Sequence, residues 1–386
     1  MPDSASFLII ETIVIFILIL ISPIIARKLK LPVIITEVLL GILIGESLLK
    51  MVPEHPILDF LASFGLVYLM FLVGLEVDLE VIKRNISMGL PIASSSLIIP
   101  FISGFILALH IGVNPLILGT VFTTTSIGVI LPLIRELELT ELFKYVLLVS
   151  VAIVDIASIF ILAFILGVIQ NSIDIAFIYS FIAVTSLFII PYLIRRCAKR
   201  DICSRFKSWI NQESYFEIGV RISFVLIIAL ATISYQLGFH AIIGSFIAGL
   251  IMSELMPYPS KLRSKLEGFG YGFFIPIFFI LTGSRVDIPI LLSNIENLIH
   301  LAYVIAIAIS SKVFSVFITS MFLGFKFKEA LLLGLLHSAR VSLILAVAEI
   351  GRSLNLIDLS TFSILVILSI VSTIIGPTLG RYILKR

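Results

Sequence analysis

The chain has 386 residues, of which 60% are hydrophobic and only 13% charged, and its mean hydropathy is +1.21. These values exclude a soluble globular domain and describe a polytopic membrane protein. The formal net charge of +3 says little about partners, because in such a chain the informative quantity is where Lys and Arg fall; a lipid bilayer and no nucleic acid are expected.

Spans of about 17–25 apolar residues divide the chain into about thirteen helices, at 7–26, 33–49, 57–77, 87–109, 115–134, 142–168, 173–194, 215–236, 239–254, 269–284, 298–323, 329–350 and 360–381. The first is flanked by Pro2 and Asp3 rather than by a basic stretch, so it reads as a spanning helix and not as a removed signal. In the second, Glu37 precedes Gly41 and Gly45, a pair spaced to let helices approach closely. Glu76 and Asp78 end the third, at the cytoplasmic surface. The fifth carries a polar interruption, Thr123, Thr124, Thr125 and Ser126, followed by Gly128 and Pro132.

The sixth helix holds one carboxylate, Asp155, near the middle of an apolar run. Such an acid costs about 2.5–3.5 kcal/mol to insert and therefore faces a water-filled cavity or a partner. Ionised, it attracts a cation; protonated, it does not, so one group can hold the two in turn. Thr124, Thr125, Ser126 and Ser158 supply hydroxyl oxygens suited to a hard monovalent ion, or else satisfy backbone groups freed at a helix break.

The stretch 195–214 is the longest polar interruption and is led by Arg195, Arg196, Lys199, Arg200, Arg205 and Lys207. Its Cys197 and Cys203 have no nearby ligand set and read as reduced thiols. By the positive-inside rule the loop is cytoplasmic, the N-terminus outside and the C-terminus cytoplasmic. The loop divides a first repeat plus linker helix (1–194) from a second repeat (215–386), two six-helix halves of inverted orientation. In the second half, 329–350 carries Gly334, His337, Ser338, Arg340 and Ser342, a polar break matching the one at Thr123–Ser126. Matched breaks in two halves point to discontinuous helices around a binding site. Lys312, in 298–323, is a second charge inside a span.

Seven stretches in order, LKLPVIITEVLLGILIG (29–45), YLMFLVGLEVDL (68–79), GTVFTTTSIGVI (119–130), VAIVDIASI (151–159), LGFHAIIGSFIAGLIMSE (237–254), GYGFFIPIFFILTGSRVDI (270–288) and the Lys312 segment, resemble the monovalent cation:proton antiporter superfamily. The likeness is to its NapA-type and Kef-type branch of sodium/hydrogen exchangers and covers almost the whole chain. It implies an all-α NapA/NhaA-like fold of about thirteen helices with two crossed broken helices. It also implies a core domain (mainly 87–168 and 269–350), a dimerisation domain from the remaining helices, and a homodimer. Two positions depart from the family pattern. Val154 stands where electrogenic members carry a first acid, and Arg340-Val341-Ser342 replaces Arg-Gly-Glu. Without an acid at 154, Lys312 pairs with Asp155, neutralises carbonyl ends of a broken helix, or loses its proton. Arg340 keeps its charge and so cannot carry a proton; it anchors its broken helix through carbonyls or an acid.

The expected function is therefore alternating-access antiport of Na⁺ (or K⁺) against H⁺ at Asp155, with one-for-one electroneutral exchange as the simplest stoichiometry. No cofactor is expected beyond the transported ions, and no metal other than the monovalent cation. Neither a phosphate loop nor a nucleophile arrangement points to an enzyme. The alternatives are a Kef-like potassium efflux pathway, disfavoured because no regulatory domain is seen in the sequence, and a transport-inactive sensor suggested by Val154 and Ser342. His240, His337 and Glu349 are either hydrogen-bonded structural residues or groups that tune a pH response. A prokaryotic plasma membrane is the expected location.

Overall fold

The structure is a computed structural model that describes residues 4–51, 55–77, 79–126, 129–130, 134, 139–170, 175–197, 208–212, 216–256 and 260–384. Among these, every regular element is helical: α1 (Ser4–Leu29), α2 (Val33–Ile44), α3 (Pro56–Glu76), α4 (Leu79–Ile111), α5 (Pro115–Thr123), α6 (Glu141–Gln170), α7 (Ile175–Leu187), α8 (Ile189–Cys197), α9 (Ile218–Gln236), α10 (Ala241–Leu255), α11 (Lys261–Phe269), α12 (Ile275–Ser284), α13 (Ile288–Ser293), α14 (Ile295–Phe322), α15 (Phe327–His337), α16 (Ser342–Ser353) and α17 (Leu359–Leu384). Nine segments of the described residues are long and apolar enough to cross a membrane, and α2, the stretch 179–194 and α10 are shorter apolar helices. Among the described residues each predicted span contains helix, which in 115–134 stops at Thr123 and in 329–350 is interrupted between His337 and Ser342. Asp78, Gly128, Pro132, Cys203 and most of the basic loop lie outside the described residues.

The differences from the predicted boundaries have local causes. A polar helix, α11, precedes the predicted start at 269; Ser260 caps it by accepting from the Arg263 amide at 3.1 Å, and Arg263 pairs with Glu267 at 2.9 Å. Capping and an i,i+4 pair stabilise such a turn although it is too polar for hydropathy to register. A π-turn at Gly270–Phe274 joins it to α12. The short α13, in a predicted loop, starts where the Asp287 side chain accepts from the Ile290 amide at 2.9 Å, with Pro in its first turn. The predicted helix 33–49 ends at Ile44, where Gly45 turns extended.

The chain forms two compact units, one of Met1–His55, Leu79–Leu162 and Phe279–Arg386, the other of Pro56–Asp78 and Ala163–Phe278. Within the second, α3 crosses α10 at backbone contact. A Cβ on Gly74 would lie 2.2 Å from the Phe246 carbonyl oxygen, and one on Gly249 2.1 Å from that of Phe71. The Ser245 hydroxyl donates to the Val67 carbonyl across the same crossing. Tyr68 is buried against Phe64, Phe224 and Phe274, and its hydroxyl donates to the Leu266 carbonyl at 3.0 Å.

Within the first unit, α4, α5, α14, α15, α16 and α17 pack together. Phe143, Val146, Leu147 and Val151 of α6 share an apolar core with Val316 of α14 and with Leu332, Leu333 and Leu336 of α15. The Gly41/Gly45 spacing works as close packing, since a Cβ on Gly41 would lie 2.1 Å from the Ile280 carbonyl oxygen of α12. Between α1 and α2 the buried Glu37 accepts a hydrogen bond from Ser22 at 3.3 Å.

Adding a methyl at such a crossing forces backbone apart, at about 1–3 kcal/mol. Gly74→Ala is expected to lower the thermal midpoint of the detergent-solubilised protein. Gly268→Ala, a helical position with nothing within 4 Å of the added Cβ, is expected to raise it slightly through lower unfolded-state entropy. Thermal-shift measurements on both variants check the contrast.

Candidate functional site: a broken helix capped by buried cations

The site grows from the way α5 begins and stops. Asn114 caps its start by accepting from the Leu116 and Ile117 amides at 3.1 and 3.2 Å, and Pro115 supplies a first residue that needs no N–H partner. Nine residues later the helix ends in β-branched hydroxyl residues whose side chains turn back on their own backbone. The Thr123 hydroxyl donates to the Thr120 carbonyl at 2.7 Å and the Thr124 hydroxyl to that of Val121 at 2.8 Å. Thr124 is extended, with φ −62° and ψ 153°.

A helix that stops here leaves its last carbonyls without intrahelical partners. Inside a membrane protein water does not supply them, and each unsatisfied group costs several kcal/mol. Two cations do. The Lys312 ammonium, fully buried on α14, donates to the Thr123 carbonyl at 2.6 Å. The Arg340 guanidinium, also fully buried, reaches the Phe122 carbonyl at 3.1 Å and the Val121 carbonyl at 3.5 Å.

The same cations satisfy other freed groups. Pro100 inside α4 has no N–H to give the carbonyl four residues back, and that carbonyl, on Ser96, receives Lys312 at 2.8 Å. Arg340 sits in the second break, between His337 and Ser342, where it also donates to the carbonyls of Ala308 on α14 at 2.9 Å and of Ser338 at 3.3 Å. Its own carbonyl accepts from Thr373 and Ser372 of α17 at 3.1 and 3.4 Å. The two broken helices therefore meet through one guanidinium. Of the roles open to these cations from the sequence, the geometry puts both on backbone carbonyls.

Asp155, 5% exposed on α6, faces the first break, and the Thr125 hydroxyl donates to its Oδ1 at 2.7 Å. One turn along α6 the Ser158 hydroxyl lies 3.1 Å from that of Thr123; because Thr123 already gives its proton to Thr120, Ser158 is the donor. Thr124 is buried, its hydroxyl directed to α5, and Ser126 is buried just past the break. Val154 is buried beside Asp155. The arrangement brings together a carboxylate, hydroxyls that keep their lone pairs after donating, and two basic side chains held on backbone carbonyls. Chemically, a carboxylate in such a set can take a proton or attract a small cation.

Of the other polar residues named from sequence, Glu349 forms an ion pair with Arg285, Glu76 accepts from Tyr271 at 3.2 Å, and His240 caps α10. His337 is fully buried at the end of α15. Sequence reasoning named Thr123 in the polar break but not among the site residues, and left Ser96, Ser372 and Thr373 unnamed. The one readable signal among them was Pro100, four residues after Ser96.

The profile of the transmembrane sodium/hydrogen exchanger family matches residues 14–386. The chain belongs to the sodium/hydrogen exchanger family. It is similar to the probable Na⁺/H⁺ antiporter 3 of Methanocaldococcus jannaschii, 30% identical over 96% of this chain and 95% of that one. It is also similar to the Na⁺/H⁺-K⁺ antiporter GerN of Bacillus cereus, 26% identical over 86% of this chain and 84% of that protein. Among solved structures, the sodium proton antiporter MjNhaP1 of Methanocaldococcus jannaschii superposes with a TM-score of 0.69 over 98% of this chain and 99% of that one, at 16% identity. This exchanger thus has an antiporter fold and is a multi-pass membrane protein, and its two breaks lie in that fold.

Removing the guanidinium leaves the buried Phe122 carbonyl of this exchanger without its Arg340 donor, at roughly 1–3 kcal/mol, and cuts the bond from the second break to the Ala308 carbonyl of α14. Arg340→Gln is expected to lower thermal stability in detergent sharply. Arg340→Lys, which keeps the charge but cannot reach two helices with one planar fork, is expected to fall between Gln and wild type in the same assay.

Proposed function

We propose that this exchanger is a secondary active antiporter in which Asp155 alternately holds a proton and Na⁺ (or K⁺). The observation that carries the reading is a buried carboxylate, bonded to Thr125 at a helix break whose carbonyls are already capped by Lys312 and Arg340. With the break's dipole answered by fixed cations, the one acid beside it is the group whose charge can change hands. Thr125 and Ser158 are the side-chain ligands that fit best, while Thr124 and Ser126 contribute through backbone or bound water. Sodium is named for both relatives and potassium for one of them, so both ions belong in the test.

With Val154 in place of a second acid, one carboxylate exchanges one proton for one monovalent ion, an electroneutral cycle. Lys312 and Arg340 hold their charge throughout and serve structure. The core, 87–168 and 269–350, moves against the remaining helices in a homodimer, opening the site to each side in turn. The protein sits in the plasma membrane, N-terminus outside and C-terminus cytoplasmic.

In proteoliposomes with an internal pH dye, Na⁺ or K⁺ gradients are expected to drive proton movement in wild type, to fail with Asp155→Asn, and to weaken with Thr125→Ala mainly through a higher half-saturation constant. Clamping the voltage with valinomycin and K⁺ is expected to leave the Na⁺-driven rate unchanged. A voltage-dependent rate would sink the electroneutral cycle. Downhill K⁺ flux without proton counterflow would replace antiport by an efflux pathway, and no flux in well-oriented vesicles would favour a sensor.

A further inference from the structure

The helix that bears Asp155 is held to the first break by Thr125 and Ser158, and a separate contact joins it to the second. Ser150, fully buried on α6, lies 2.9 Å from Nε2 of His337, the last residue of α15 before that helix breaks. The other ring nitrogen, Nδ1, lies 2.8 Å from the Leu333 carbonyl. A carbonyl only accepts, so Nδ1 carries the ring proton. In the neutral ring Nε2 is then an acceptor, and the Ser150 hydroxyl is its donor. The alternative acceptor for that hydroxyl, the Leu147 carbonyl, is 3.0 Å away, so the Ser150 proton chooses between its own helix and the second break.

The contact sits where movement would be felt. Ser150 is five residues before Asp155, about 7.5 Å along the axis. His337 is three residues before Arg340, which grips the first break. On either side of the Ser150–His337 bond the seam is apolar, with Leu147 and Val151 of α6 against Leu333 and Leu336 of α15. Such a seam has little direction of its own and allows sliding, whereas a hydrogen bond inside it sets one register.

We propose that His337 is a positioning residue for exchange: by accepting the Ser150 hydroxyl it sets the register of the Asp155 helix against the second broken helix, and so the distance of Asp155 from the ligands at the first. The proposal rests on the antiport reading above. It concerns cation affinity, because a carboxylate displaced along its helix presents its oxygens less well to a bound ion while fold and turnover persist.

The test is the cation half-saturation constant and the maximal rate of exchange in proteoliposomes for wild type, Ser150→Ala, His337→Asn, His337→Gln and the double variant Ser150→Ala/His337→Asn. The Asn amide reaches the place of Nδ1, and the Gln amide that of Nε2. Ser150→Ala and His337→Asn are each expected to raise the half-saturation constant roughly five- to tenfold, the size of one net hydrogen bond, with little change in maximal rate. The double variant is expected to be no worse than either single one. His337→Gln, which restores an acceptor for Ser150, is expected to stay within about twofold of wild type. An unchanged half-saturation constant in Ser150→Ala, multiplying effects in the double variant, or equal behaviour of Asn and Gln would each overturn the proposal while the wild-type exchange stood. Absence of exchange in wild type would remove antiport and positioning together.

Discussion

A helix cut inside a membrane protein must have its open carbonyls satisfied, and the first unit of this exchanger is arranged around that requirement. The end of α5 exposes the carbonyls of Phe122 and Thr123, and Arg340 and Lys312 close them, while Thr124 turns back on that of Val121. Burying two cations is costly, several kcal/mol per ion in a relaxed protein. They persist because each donates to carbonyls on more than one helix: Lys312 to α4 and α5, Arg340 to α5, α14 and its own break. The charges that satisfy the break also hold the helices around it.

This division of labour gives the site its chemistry. Lys312 and Arg340 are engaged with backbone carbonyls of α4, α5 and α14. Asp155 is bonded to a hydroxyl, a group that can donate to the carboxylate and still offer lone pairs to an ion. In the proposed cycle a proton and a cation compete for that single place, which is the minimum required to couple their movements. The substitution of Val for an acid at 154 is consistent with Lys312 taking carbonyls as its partners.

Tight and loose packing are also separated by purpose. The α3/α10 crossing is at backbone contact through Gly74 and Gly249 and admits no added atom without displacement. The seam of α6 against α15 is built of Leu, Val and Phe, whose non-directional contact tolerates small shifts and leaves register to the few hydrogen bonds that cross it. Polar contacts are sparse here, and each therefore carries more of the geometry.

Much of the chain was legible as a sequence. Apolar runs of spanning length, the isolated Asp155, the Thr-rich interruption at 123–126 and the matched interruption near Arg340 each follow from one-dimensional patterns, because the cost of backbone and charge in a membrane acts residue by residue. The polar helix α11 was missed since hydropathy does not see capping, and α13 was hidden in a loop for the same reason. What only the tertiary structure decided is which groups satisfy one another. The sequence left Lys312 a choice of an acid, a carbonyl or a lost proton, and left Arg340 a choice between carbonyls and an acid. Those choices depend on helices more than a hundred residues apart, such as α5 with α14 and α6 with α15, lying within hydrogen-bond distance. Local pattern determined where the breaks and the buried charges are; packing between distant helices determined that Lys312 and Arg340 reach the carbonyls of the break and that Thr125 donates to Asp155.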